Sequence, residues 1–127
     1  MNADDDQKAH ELAKAIHALG VVFIGRLPAT LSGMQHELDA IEKESQKNTP
    51  DHTSWKNLHR HLHSLAGSAG TFGHHELGDR ARELEHRIHD MLDNGGISSD
   101  PVRSTFIQDQ HAFIQWADEQ FVQNKPG

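Results

Sequence analysis

The chain has no cysteine. Disulfide staples, thiolate metal sites and thiol nucleophiles are thereby excluded, and the composition is compatible with a reducing compartment. It has no surplus of positive charge: 12 Lys and Arg stand against 19 Asp and Glu, a formal net charge of −7 with histidine neutral. Electrostatic attraction to nucleic acid or anionic lipid is therefore not expected to drive its function. No apolar run nears the ~18 residues that suggest a membrane span. The longest, Leu19 to Gly25, is broken by Gly20 and followed by Arg26. The opening Met1-Asn2-Ala3-Asp4-Asp5-Asp6 is acidic where a secretory signal begins basic. There is no glycine-rich phosphate loop, Walker pattern or acidic metal pocket, so ATP binding and self-phosphorylation are not expected. Strand-like alternation and internal repeats are also missing. The expectation is a cytoplasmic, free-standing protein.

What is present is helical. The 127 residues suit one domain, and helical periodicity runs through every segment. Leu12, Ile16 and Leu19 mark a first helix over about 4–19, with Asp4, Asp5 and Asp6 favouring its positive end and Gly20 interrupting or ending it. Phe23, Leu27, Leu31, Met34, Leu38 and Ile41 lie on one face of a second helix, about 21–43. Pro28 either kinks that helix or marks its first turn. Residues 45–51 read as a loop. Leu58, Leu62, Leu65, Ala69 and Phe72 form the seam of a third helix (52–71) that Gly73 is placed to end. A fourth (75–93) carries Leu77, Ala81, Leu84, Ile88 and Met91 and stops at Asn94-Gly95-Gly96. The last starts near Pro101 with Asp100 as N-cap, and buries Val102, Phe106, Phe113 and Ala117. These lengths and short links predict an all-α fold, an antiparallel four-helix bundle over 20–123. Residues 1–19 are an accessory N-terminal helix, expected to cap one end of the bundle through Leu12, Ile16 and Leu19 rather than to form a partner surface. Residues 124–127 are a tail.

The segment Leu58–Gly73, LHRHLHSLAGSAGTFG, carries the chemistry. Gly67 and Gly70 sit inside the helical pattern, where each costs about 1 kcal/mol relative to alanine. At ~100° per residue Lys56, His59, Arg60, His63, Ala66, Gly67 and Gly70 share a stripe beside the leucine seam. His63 is thus expected outside the core, among side chains small enough for another protein to come close. Near neutral pH an imidazole keeps a free lone pair in a substantial fraction of molecules, so it suits nucleophilic attack on phosphorus.

HSLAGSAGTFG resembles the signature of the histidine-containing phosphotransfer (HPt) domain family, H-x-L-[KR]-G-S-A-x-x-x-G, matching at His63, Leu65, Gly67, Ser68, Ala69 and Gly73. Leu77, Ala81, Leu84 and Glu85 resemble the family's next helix; Phe23, Leu27, Pro28 and Leu31 resemble its F-x-x-x-L-P-x-x-L helix. The similarity covers about 21–120. The resemblance implies a phosphorelay carrier, a phosphotransfer intermediate without kinase activity of its own and not an enzyme: His63 accepts a phosphoryl group from a receiver-domain aspartate and passes it to another receiver. It implies docking around His59, Arg60, Ala66, Gly67 and Gly70, response-regulator receivers and a hybrid sensor histidine kinase as partners, and a monomer. No cofactor is expected on this chain, the partner receiver supplying Mg²⁺. Ser68 is expected to be structural, bonding back to a carbonyl of the preceding turn. One departure is Ala66, where the family usually has Lys or Arg; Lys56, Arg60 or a basic residue of the fourth helix are the candidate substitutes.

Two other readings compete. Ala66 motivates an adaptor that binds a receiver or kinase without transfer. The run His59, His61, His63 motivates a histidine-rich metal-binding bundle, since His59 and His63 are four apart. His61 points the other way and no His-Glu-x-x-His pattern occurs, so no metal site is expected. His74, His75, His86 and His89 read as solvated or helix-end residues, and Trp55 and Trp116 as packing or interface residues.

Overall fold

The computed structural model describes residues 3–44, 52–94, 97 and 100–123. Among these residues four α-helices form the fold: α1 (Ala3–Glu44), α2 (Thr53–Thr71), α3 (His75–Asn94) and α4 (Val102–Asp118), the last running into a π-helical turn at Glu119–Gln123. No strand occurs among the described residues. The all-α bundle expected from periodicity is what forms. The expected loop at 45–51 and tail at 124–127 lie outside the described residues.

The core is the set of seams read from spacing. Leu27, Leu31, Met34, Leu38 and Ile41 of α1 meet Leu58, Leu62, Leu65 and Ala69 of α2 and Leu77, Ala81, Leu84, Ile88 and Met91 of α3, all buried. Phe106, Phe113 and Ala117 close the core from α4, with Phe106 tilted against buried Trp55 at 5.7 Å between centroids. The expected α4 stripe needs one correction. Val102 is 49 % exposed, and Gln110 takes the inward place between Phe106 and Phe113. Its Oε1 is buried without a hydrogen-bond partner, while its Nε2 contacts the Met34 sulfur at 3.5 Å.

The N-terminal half differs more. Gly20 does not end a helix: 3–19 and 21–43 are one 42-residue helix, and Pro28 lies inside it rather than in its first turn. The cost of one glycine is small beside the continuous hydrogen-bonding of its neighbours. Phe72 lies beside it, 3.6 Å from where a Cβ would stand, an ordinary van der Waals distance at which an alanine would also fit. Because α1 runs on, its first half projects past the bundle, and Leu12, Ile16 and Leu19 are exposed rather than folded back as a cap. By length and composition alone α1 is also long and apolar enough to cross a membrane, although no unbroken apolar run in it approaches that length.

The α2–α3 turn sets the site. Gly73 adopts φ +83°, His74 N–H donates to Ala69 O at 2.8 Å and Gly73 N–H to Gly70 O at 3.3 Å, so α2 ends in a Schellman motif. The reversal is short enough that α3 packs back along α2 over most of its length. At the start of α4 the flanking residue is Pro101, not Asp100, whose carboxylate instead accepts from the Ser104 hydroxyl at 2.6 Å.

Candidate functional site

The site is built where α2 and α3 come closest. Gly78 of α3 is buried, and a Cβ there would stand 3.3 Å from both Ala66 O and Gly70 N and 3.5 Å from Ala69 Cβ. Three small residues, Ala66, Ala69 and Gly78, therefore let the two backbones approach. This corrects one expectation. Ala66 is 2 % exposed and faces α3, so it lies under the docking stripe and not on it. The stripe drawn at 100° per residue was broad enough to include it, and only the position of α3 decides that it is covered.

The rest of the stripe is where the sequence puts it. Lys56, Arg60, His63, Gly67 and Gly70 are exposed, and His59 is half-buried. A Cβ on Gly67 or Gly70 would meet nothing within 4 Å. Among the described residues none makes the close approach that interior glycines suggest; the space above them is open. Lys56, His59, Arg60, His63 and Leu92 together line a shallow depression of about 360 Å³.

His63 stands out from α2 with 72 % of its side chain exposed, yet one nitrogen is held: Nδ1 lies 2.6 Å from Oε1 of Glu85 on α3, itself only 14 % exposed. A carboxylate only accepts, so Nδ1 is the donor and the lone pair resides on Nε2. Glu85 is reached because Leu84 is in the core, which turns its neighbour toward α2. The same Oε1 is 4.0 Å from His59 Nε2. The His59 ring lies near-parallel to that of His63, with centroids 6.4 Å apart, and 5.8 Å from that of His89. Burial pushes the His59 pKa below 6.5; Glu85 opposes that shift, and His89 and His63 add to it. Sequence reasoning picked Glu85 out only as part of a family pattern. Its pairing with a residue 22 positions away depends on the α2–α3 register and has no local signal.

Other histidines find ordinary places. His89 pairs with Asp93 at 3.2 Å, and His86 is exposed. His74 is half-buried rather than solvated, within 5.9 Å of Phe23 and 5.6 Å of Phe121 between ring centroids. Trp116 carries Arg80 over its ring at 4.1 Å. No group of three or more His, Cys, Asp or Glu is arranged to hold a metal ion among the described residues. The back-bond expected of Ser68 is made instead by Thr71, whose hydroxyl donates to Gly67 O at 2.9 Å.

No curated protein and no solved structure matches this chain. The family model described as the Hpt domain matches residues 21–119, which takes in all of α2 and α3 and leaves out the projecting start of α1. Helical bundle, surface imidazole and family match agree, and the chain belongs to the Hpt domain family, the phosphocarrier modules of two-component signalling.

Proposed function

We propose that this protein is a phosphorelay carrier in which His63 takes a phosphoryl group from the aspartyl phosphate of one receiver domain and delivers it to the aspartate of another. The single observation that carries the reading is the His63–Glu85 contact on an open face: one nitrogen held at 2.6 Å, the ring otherwise exposed. In the first step the Nε2 lone pair of His63 forms a bond to phosphorus as the acyl-phosphate P–O bond breaks, and the electron pair returns to the receiver's carboxylate. The proton on Nδ1 stays, so the ring gains positive charge beside the Glu85 carboxylate, which offsets it. Glu85 is a positioning residue: it fixes the tautomer and orientation of the nucleophile without touching the substrate. Transfer to the second receiver is the reverse of the same step.

The remaining parts of the reading follow from the surface. Gly67 and Gly70 leave room for the receiver's phosphorylated loop, and His59 and Arg60 border its landing place. With Ala66 buried, the cation that the family keeps one turn after the histidine comes here from one and two turns before it, from Arg60 and Lys56. The receiver brings the Mg²⁺ that shields the transferred charge, and the carrier has no kinase activity and works in the cytoplasm. Ala66 also motivates the second reading, an adaptor that docks receivers without transfer.

The experiment is incubation with a Mg²⁺-loaded phosphorylated receiver, followed by assay for acid-labile, alkali-stable phosphate. Labelling that His63→Gln abolishes is expected. Labelling that survives His63→Gln refutes the acceptor, and receiver binding with no labelling by any receiver tried favours the adaptor.

A further inference from the structure

His59 borders the acceptor and has no part in the bond-making step. It lies one turn before His63 on α2, with 29 % of its side chain exposed. The two rings are near-parallel, 6.4 Å apart between centroids, and line the same depression with Lys56, Arg60 and Leu92. The charged and titratable groups around His59 are Lys56, Arg60 and His63 from its own helix and Glu85 and His89 from α3. In the resting chain they do not bring a charge onto it. Burial holds its pKa below 6.5; Glu85, 4.0 Å from Nε2, opposes that shift, and the His89 and His63 rings add to it. The Glu85 oxygen nearest to it is already engaged by His63 Nδ1–H at 2.6 Å.

Phosphorylation reverses this balance. A phosphoryl group carries up to about two negative charges near neutral pH. On Nε2 of His63 it stands within about a Debye length of the His59 ring, at a depression partly withdrawn from solvent, where screening is weak. The ring that opposed a charge on His59 becomes the carrier of an anion that favours one. Lys56 and Arg60 are cations before and after, so they meet the phosphoryl group without exchanging a proton. His89 already has a carboxylate partner in Asp93 at 3.2 Å.

We propose that phosphorylation of His63 is coupled to the uptake of one proton by His59. As the P–O bond of the receiver's acyl phosphate breaks and the P–Nε2 bond of His63 forms, the electron pair returns to the receiver's carboxylate. His59 then takes a proton from solvent on its free ring nitrogen and becomes an imidazolium beside the new anion. Delivery to the second receiver releases that proton. This cation therefore exists only while the phosphoryl group is present. The coupling is reciprocal: if phosphate on His63 draws a proton to His59, acid draws phosphate onto the carrier. It rests on His63 being the phosphoacceptor, as proposed above.

Two measurements on the full chain test it. In the first, the native chain is phosphorylated with phosphoramidate, which needs no receiver, and the His59 ring is titrated between pH 5.5 and pH 8 by carbon-13 and proton spectra beside the unphosphorylated chain. A higher His59 midpoint in the phosphorylated chain is expected; a midpoint that stays or falls overturns the coupling. In the second, the share of phosphate held by the chain at equilibrium with one receiver is compared between native and His59→Gln proteins. The receiver and His63 itself titrate in both mixtures. The native share relative to the variant's is expected to rise about two- to fivefold from pH 7.5 to pH 5.5, the range of a charge pair near the surface. A ratio that does not change with pH overturns the proposal. The spectra use the native chain, so they decide the matter even if His59→Gln folds poorly. Phosphate on His63 with an unmoved His59 sinks this coupling alone, whereas a chain that neither phosphoramidate nor any receiver labels on His63 sinks the phosphorelay reading with it.

Discussion

Glu85→Gln isolates the role of charge at the acceptor with little change in shape. The glutamine Oε1 still accepts from His63 Nδ1–H, so the ring keeps its orientation, but the carboxylate no longer offsets the positive charge that develops as Nε2 bonds to phosphorus. A hydrogen bond to a charged group contributes about 1.5–3 kcal/mol against about 0.5–1.5 for a neutral one, a loss of about 1–2 kcal/mol. With 1.36 kcal/mol per tenfold, that is about a 5- to 30-fold slower transfer. Glu85 is 14 % exposed but His63 is 72 % exposed, so solvent screening holds the effect near the lower end, about fivefold. Rapid-quench measurement of transfer from a phosphorylated receiver gives the rate. Nitrogen-15 spectra of the imidazole give the tautomer, with the proton on Nδ1 expected in the native chain and a return toward the Nε2–H form in Glu85→Ala. A native rate in Glu85→Gln together with an Nε2–H tautomer in the native chain refutes the assignment.

The glycines of α2 and α3 answer differently to alanine. Gly67→Ala and Gly70→Ala meet open space, so each gains stability, up to about 1 kcal/mol from helix propensity, yet slows transfer by crowding the receiver. Gly78→Ala presses a methyl onto backbone atoms at 3.3 Å, and overpacking of about 1–3 kcal/mol exceeds the propensity gain, lowering the thermal midpoint. Gln110→Met removes a buried unpartnered carbonyl, and a stability gain of about 1 kcal/mol in urea unfolding is expected. His59 is held neutral by burial, so the unfolded chain binds its proton more readily than the folded one. Its contribution is complete above pH 6.5 and is lost as pH falls from there through the lower folded value. His59→Gln therefore narrows the difference in urea midpoint between pH 7.5 and pH 5, and an unchanged difference refutes it.

Much of this molecule is readable from spacing because its core is a set of helical stripes. Leu77, Ala81, Leu84, Ile88 and Met91 are all inside, as is every residue of the α1 seam from Leu27 to Ile41. Periodicity fails where two signals compete. At Gly20 a residue with poor helix propensity is set against a helix strong enough to continue through it. At Gln110 the spacing of four from Phe106 and three from Phe113 overrode polarity. The exposure of His63 followed from its angle to the leucine seam, whereas its contact with Glu85 and the covering of Ala66 depend on how α3 lies along α2. That register is set by the Gly73 turn and the Gly78 contact, and neither is a periodic feature.

The central claim is that the nitrogen of His63 opposite Glu85 carries the phosphoryl group. Phosphorus-31 and nitrogen-15 spectra of the protein after reaction with a phosphorylated receiver test it most directly. A phosphoramidate on Nε2 of His63, with the proton retained on Nδ1, is predicted; phosphate on Nδ1, or on any other side chain, contradicts it.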